Sequence, residues 1–213
     1  MSRFIACCIL ATLTLSCTTN PPDTLAAIEG EAEHAYDVAL IENYALLSAS
    51  AQTLDAMWRD YRATAEADGA SAEVLDAVDT AIAELLSVAD AQPGAVAAGR
   101  SANAVSEYMP DLFELYDPTI PAEILALDYQ GREIVLDGMD DDLDAADLDV
   151  EALAAIWGTV RQRVVDAGGS DGAMDFDDSV EQLRALTAGS DAQALIEEAN
   201  VNLELVDVLE EVF

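Results

Sequence analysis

The residues best suited to chemistry are the carboxylates of an acidic segment in the second half of the chain, residues 137–151. Within it, carboxylates stand at positions 1, 3, 5 and 12 of a twelve-residue window: Asp140, Asp142, Asp144 and Glu151. This is the ligand spacing of an EF-hand calcium loop, but Ala145 stands at position 6, where the sharp turn of such a loop needs glycine. Two interpretations stay open, a calcium site and a solvated acidic loop whose spacing arises by chance.

Two tryptophan–arginine pairs form the second candidate. In each pair the arginine follows the tryptophan by four residues, as in Trp58 and Arg62 and again in Trp157 and Arg161. Both side chains of a pair therefore lie on one face of a helix. One interpretation is a paired ligand site between two halves of the protein, with each guanidinium over an indole face. The other is a core tryptophan beside an arginine that pairs with nearby carboxylates, and the usual burial of large aromatic residues favours it.

Apart from the carboxylates, side chains that enzymes commonly use are scarce in this chain. His34 is the only histidine, which excludes zinc sites built on several histidines, and there is no Cys-x-x-Cys-His sequence for a c-type haem. No Gly-x-Ser-x-Gly elbow or phosphate-binding loop is present. Glu31 and His34 have the Glu-x-x-His spacing of di-iron bundles, but the second half of the chain lacks the matching motif. We therefore expect no haem and a non-enzymatic protein with a solvated His34.

Apolar residues recur at spacings of three and four along most of the chain and predict helices. No sustained strand alternation is present, so the predicted fold class is all-α, an antiparallel helical bundle over residues 24–213. The apolar stripes and the Gly and Pro breaks predict the elements. The first half has one long helix over about 25–68, a stop and new N-cap at 69–71, a break at 93–94, and a helical stretch to Tyr116 that restarts at Pro110. After a linker at 117–121, the second half has a segment over about 122–137 and a helix over about 150–167 that is capped by Asp149.

The second half of the sequence repeats the first. The segment around Trp58 and Arg62 aligns with that around Trp157 and Arg161 at a constant offset of 99, and later segments align at offsets of 98 and 97. Asn103 and Asn200 are equivalent and are candidates for setting helix register. We predict an internal duplication with units at about 24–116 and 121–213, which differ near their starts and share one joint core.

The first seventeen residues differ from the rest. Arg3 precedes an uncharged run over 4–15, which is too short to span a bilayer and has the length of the apolar region of an export signal. Ser16 and Cys17 then resemble the lipobox of bacterial lipoprotein signal peptides, although Thr14 stands where leucine is usual. The resemblance implies a signal peptide over 1–16, lipidation of Cys17, and a lipid-anchored tether over 17–23.

Cysteine usage agrees with this resemblance. Cleavage before Cys17 removes Cys7 and Cys8, and lipidation explains why a single thiol would remain at the terminus of an exported chain. The alternative is an ordinary secretory signal cut nearby. Thr18, rather than aspartate, follows the cysteine, and the same resemblance then implies the periplasmic face of the outer membrane.

The chain is very acidic, with 43 Asp and Glu residues against eight arginines, and a formal charge of −35. Such a charge repels nucleic acids and anionic lipid surfaces, so we expect neither as a partner. A saline habitat would explain the acidity without a specific function. The leading hypothesis is an envelope lipoprotein whose helical domain binds or scaffolds another envelope protein. The alternative is a periplasmic cation- or small-ligand-binding module that uses 137–151 or the cleft between the repeats.

Overall fold

The structure is a computed structural model that describes residues 20–213. This range contains nine α-helices and no strand, which confirms the predicted all-α helical bundle. The helices are α1 (Asp23–Leu40), α2 (Tyr44–Asp68), α3 (Ala72–Ala91), α4 (Ala95–Ser106), α5 (Met109–Phe113), α6 (Ala122–Met139), α7 (Leu143–Asp166), α8 (Ser170–Thr187) and α9 (Ala192–Glu210). The predicted signal segment and Cys17 lie outside the described residues.

Several helix ends lie where Gly, Pro and Ser predicted them. Gly69 ends α2 in the left-handed conformation, with φ of 115°, which glycine adopts without a steric penalty. The Ser71 hydroxyl accepts a hydrogen bond from the backbone N–H of Val74 at 3.2 Å and so caps α3. Pro93 and Gly94 separate α3 from α4, and Pro110 lies in the first turn of α5.

The prediction of one long helix over about 25–68 is wrong, because a three-residue turn at 41–43 divides it into α1 and α2. Glu42 has a positive φ of 54°, and the side chain of Asn43 accepts a hydrogen bond from the N–H of Leu46 at 3.3 Å, which caps α2. The apolar stripe continues on both sides of this turn, so the spacing of apolar residues alone did not reveal the break.

The second half has the same turn, which corrects two further predictions. The helix predicted over about 150–167 begins earlier, at Leu143, and its N-cap is Asp142, whereas Asp149 lies inside it. Asp141 has a positive φ of 58°, as Glu42 does 99 residues earlier. Helices α1 and α6 are both 18 residues long, so the halves agree near their starts, where we expected them to differ. The duplication itself remains a prediction.

The helices pack as two groups of neighbours. In the first half α1 contacts α2 and α4, and α3 contacts α2 and α4; in the second half α6 contacts α7 and α9, and α8 contacts α7 and α9. Each group encloses its own apolar cluster, so the expected single joint core is not formed in residues 20–213. Helix α6 also buries Arg132 and Asp137, and their ion-pair partners Glu33 and Arg100 lie in the first half, so polar contacts join the two halves.

Helix α6 joins the halves by packing against α4 and α5. A Cβ atom on Gly99 of α4 would lie 2.7 Å from Leu136 of α6 and 3.3 Å from Leu40 of α1, so the last turns of α1 and α6 lie at one level. Arg132 pairs with Glu33 further back along the same two helices. Helices α1 and α6 therefore run in the same direction, and the turns that follow them lie at one end of the protein, opposite the end where α1 begins.

Candidate functional site

The acidic segment does not form an EF-hand loop. In residues 137–151, all of which the structure describes, a three-residue turn is followed by the first turns of α7, where the calcium prediction required a twelve-residue loop. The side chain of Asp142 accepts a hydrogen bond from the N–H of Ala145 at 3.0 Å and acts as a helix cap. Asp144 is exposed on α7.

The other two predicted calcium ligands pair with arginines on different helices. Asp140 lies 3.4 Å from a guanidinium nitrogen of Arg100 on α4. Glu151 accepts two hydrogen bonds from Arg184 of α8, at 2.6 and 2.8 Å. The structure therefore does not bring the four carboxylates together around one point, and this geometry gives the EF-hand interpretation no support.

The first tryptophan–arginine pair converges on one carboxylate. Trp58 is 2% exposed, and its indole N–H donates to Asp79 of α3 at 2.6 Å. The Nε atom of Arg62 donates to the other oxygen of Asp79 at 2.9 Å. A core tryptophan beside an ion-paired arginine is the interpretation that the sequence favoured.

The second pair has the same arrangement in the other half. The indole N–H of Trp157 donates to Asp177 of α8 at 2.7 Å, and Arg161 donates to the same carboxylate at 2.6–3.0 Å. Each tryptophan belongs to the core of its own half. The two pairs therefore do not meet in one cleft between the halves, and each stabilises a contact between two neighbouring helices.

The two equivalent asparagines have different surroundings. Asn103 is fully buried, and its amide group donates to the carbonyl of Tyr129 at 3.0 Å and to the carboxylate of Glu133 at 2.8 Å. These bonds join α4 to α6, as a register-setting residue would. Asn200 is exposed and donates only within α9, to the carbonyl of Ile196. His34, expected to be solvated, is exposed on α1.

A cluster of charged residues between α1 and α6 was missed by the sequence analysis. Arg132 of α6, 6% exposed, pairs with Glu33 of α1 at 2.6 Å and with Asp128 one turn earlier on its own helix. Carboxylate oxygens of Glu29, Glu33 and Asp128 lie within 4.8 Å of one another. We call these four residues the interhelical acid cluster.

Charge is unbalanced in the interhelical acid cluster, because three carboxylates surround one guanidinium. Burial and the neighbouring Glu33 raise the pKa of Glu29, and burial is also the main cause that raises the pKa of Asp128. The carboxylate of Glu33 accepts hydrogen bonds from its neighbours, which lower its pKa against the effect of burial. The guanidinium carbon of Arg132 also lies 5.4 Å from the ring centroid of Tyr36, within the range of a cation–π contact.

Sequence periodicity gave one neglected signal for this cluster. Arg132 stands eight residues after Ile124 and four before Leu136, on the apolar face of α6, where a basic residue is unusual unless it is paired. Its partner Glu33 is 99 residues away, the offset of the predicted repeat. The identity of the partner therefore depended on the tertiary arrangement of the halves.

A cleft of about 320 Å³ lies beside the interhelical acid cluster, between α1, α6 and α9. Its lining combines five carboxylates and one arginine with an asparagine, the Tyr36 ring and two leucines: Glu33, Asp37, Asp128, Glu204, Asp207, Arg132, Asn200, Tyr36, Leu40 and Leu203. This is the predicted cleft between the halves, and its chemistry suits a small cation better than an anion.

The end that carries the turns after α1 and α6 has a second, larger cleft. It measures about 770 Å³ and lies between the start of α7 and the turn before α9, with Asp141, Asp142, Asp144 and Asp147 among its lining residues. The 92–94 turn also lies at this end, since Gly94 N–H donates to the Tyr44 hydroxyl at 2.9 Å. We call the surface formed by the turns at 41–43, 92–94, 140–142 and 188–191 the turn end.

The turn end also exposes apolar side chains. Ile41, in the turn at 41–43, and Leu148, in the second turn of helix α7, are each 72% exposed. Leu46 and Met139 are 46% and 39% exposed. When exposed apolar side chains form a patch with polar residues around it, the patch is typical of a surface that contacts another protein.

Neither a family model nor a curated protein or solved structure matches the chain. Among helices in residues 20–213, none combines the length and apolar character that crossing a membrane requires.

Proposed function

We propose that this protein is an exported, lipid-anchored and non-enzymatic binding module that holds another protein of the cell envelope at its turn end. The observation that carries the proposal is the exposure of Ile41 and Leu148, 72% each, at the end opposite the start of α1. A lipid on Cys17, six residues before Asp23, would attach the chain at the start of α1. The turn end would then face away from the membrane.

Charge indicates the chemistry of the partner. The acidic residues around the exposed apolar side chains include Glu42, Asp140, Asp141, Asp142 and Asp144. A partner segment with Lys or Arg residues on either side of apolar side chains would match both features. A second copy of this chain matches poorly, since each copy carries a net charge of −35, and anionic lipid headgroups are repelled for the same reason.

Photo-crosslinking in the native host tests this proposal. A photoreactive amino acid is placed at Ile41, at Leu148 and, as a control, at Met174, an apolar residue of α8 that is 54% exposed. We expect a discrete adduct of one additional protein at the first two positions and none at the third, and the adduct should weaken with salt. Equal adducts at all three positions, no adduct, or an adduct with a second copy of this chain would contradict the proposal.

The anchor is tested separately. Cys17→Ser should move the protein from the membrane fraction to the soluble fraction, and mass spectrometry of the wild-type N-terminal peptide should find a diacylated or triacylated cysteine. A wild-type protein that is already soluble, or an unmodified Cys17, would reject the anchor while leaving the turn-end binding test intact.

A second candidate, a cation-binding module in the cleft between the halves, is favoured by the three carboxylates of the interhelical acid cluster, whose oxygens lie within 4.8 Å of one another. Carboxylate oxygens are the ligands that calcium prefers. Calorimetry with Ca²⁺ on the wild type and on Glu29→Gln decides this. Binding at millimolar Ca²⁺ that the substitution weakens supports the candidate, and heat that is absent or unchanged rejects it.

A further inference from the structure

Asp137 of α6 is a carboxylate that is 1% exposed and has only one of its two oxygens satisfied. Oδ1 accepts a hydrogen bond from Arg100 of α4 at 2.6 Å. Oδ2 is buried and has no donor. A buried acceptor without a donor is costly, so it needs a partner that the fold or the solvent supplies.

A second carboxyl lies beside Asp137. The side chain of Asp149, on the second turn of α7, lies within hydrogen-bonding reach of the Asp137 carboxyl. Two ionised carboxylates at this separation repel each other, and neither has a hydrogen to donate. One proton bound between them removes the repulsion and provides the missing donor at the same time.

We propose that Asp137 and Asp149 form a proton-binding site that fastens α7 to α6, with the proton carried by Asp149 and donated to Oδ2 of Asp137. Arg100 compensates the charge of Asp137 through the other oxygen, so the proton resides on the partner without a guanidinium. The inference concerns the contact between α6 and α7, to which Arg100 of the first half contributes, and does not rest on the proposed function.

The surroundings of the pair retain the proton. Arg100 of α4 contacts Asp137 and also pairs with Asp140. Glu133 and Tyr129 of α6 lie near Asp149, and Glu107 and Tyr108 lie beyond them, next to Tyr129. Arg100 is the single cation among them. The Asn103 amide donates to Tyr129 and Glu133 and supplies no donor to the pair, whereas the Gln130 side chain lies within hydrogen-bonding reach of Asp149 and opposes the rise of its pKa.

Burial, followed by the contact with Asp137, raises the pKa of Asp149 to about 7. In an unfolded chain an aspartate titrates near about 3.9. The folded state therefore binds more protons than the unfolded state between these two values, and stability falls as the pH rises through this window. Above about pH 7 Asp149 is ionised beside Asp137, and the contact between α6 and α7 weakens next to the 140–142 turn.

Carboxyl ¹³C NMR on the mature domain tests the site directly. We expect the Asp149 carboxyl to titrate near neutral pH in the wild type. Asp137→Asn should lower this midpoint by about one unit or more, because the substitution removes the neighbouring charge. Asp144→Asn, which changes an exposed carboxylate on the same helix, should leave it unchanged.

Hydrogen exchange gives the second measurement. After correction for the intrinsic rates, the first two turns of α7 should exchange several-fold faster at pH 8 than at pH 6 in the wild type. Asp149→Asn should abolish this difference, because its amide group donates to Asp137 at any pH. The proposal is overturned if Asp149 titrates below about pH 5, if Asp137→Asn leaves its midpoint unchanged, or if Asp149→Asn retains the pH-dependent exchange.

Discussion

Replacement of Arg132 by methionine should destabilise the protein in a manner that depends on pH. The substitution keeps most of the side-chain volume but removes the only guanidinium among Glu29, Glu33 and Asp128. Breaking a buried ion pair by removing one partner costs about 3–5 kcal/mol. The side chain of Glu33 is 40% exposed, and water therefore screens part of the uncompensated charge, so we take about 3 kcal/mol as the loss above neutral pH.

At low pH the same substitution should cost less. Protons neutralise the carboxylates, which leaves the lost packing and the lost contact with the Tyr36 ring, together about 1 kcal/mol. Removal of Arg132 raises the pKa of the carboxylates in the folded state further. The stability of the Arg132→Met variant must therefore fall as the pH rises. For a domain of this size 1 kcal/mol corresponds to about 2–4 °C, so Tm should drop by about 6–12 °C at pH 8 and by about 2–4 °C at pH 5.

Thermal unfolding followed by circular dichroism at pH 5 and pH 8 measures both values. Arg59→Met is the matched control, since Arg59 is 73% exposed and pairs with Asp55 of its own helix. An exposed pair of this kind is worth about 1 kcal/mol or less. Arg132→Met combined with Asp128→Asn should recover part of the loss. The reasoning is refuted if Arg132→Met costs no more than Arg59→Met at pH 8, or if its cost is the same at both pH values.

Three further predictions concern single contacts, each measured as the free energy of unfolding in urea. Gly138→Ala should cost about 1–3 kcal/mol, because its Cβ would lie 2.6 Å from Ile196, whereas Gly30→Ala, with no atom within 4 Å, should be neutral or stabilising by up to about 1 kcal/mol. Asp142→Ala should cost about 1 kcal/mol equally with and without calcium, because the carboxylate caps α7. Asp79→Ala should cost about 1–3 kcal/mol, because a buried indole N–H loses its acceptor.

Much of the fold could be predicted because helix ends depend on local chemistry. Gly69 and Ser71 ended one helix and capped the next through contacts within a few residues, and such contacts are visible in the sequence. The turn at 41–43 escaped prediction because Glu42 is an unremarkable residue for a helix and the apolar stripe continues past it. Asp149 was predicted as the cap of the following helix, whereas Asp142 is its cap, because α7 begins directly after the turn that follows α6.

The charged contacts could not be predicted for a different reason. With 43 acidic residues, each arginine has many candidate partners at every spacing. Arg161 could be assigned to a carboxylate in general but not to Asp177, because that choice depends on how α8 lies against α7. The burial of Asp137 likewise results from the packing of α4 onto α6, which no local pattern specifies.

The pairing of Glu33 with Arg132 has a consequence for how a duplicated chain could form this interface. The two residues stand at the offset of 99 that relates α1 to α6. If two identical units met in this way, each would present the same side chain, and two glutamates or two arginines would repel each other at a partly buried contact. Two copies within one chain can diverge, so one position can become acidic and the other basic. A duplicated chain can therefore form an ion pair between equivalent positions, whereas a symmetric dimer of identical units cannot.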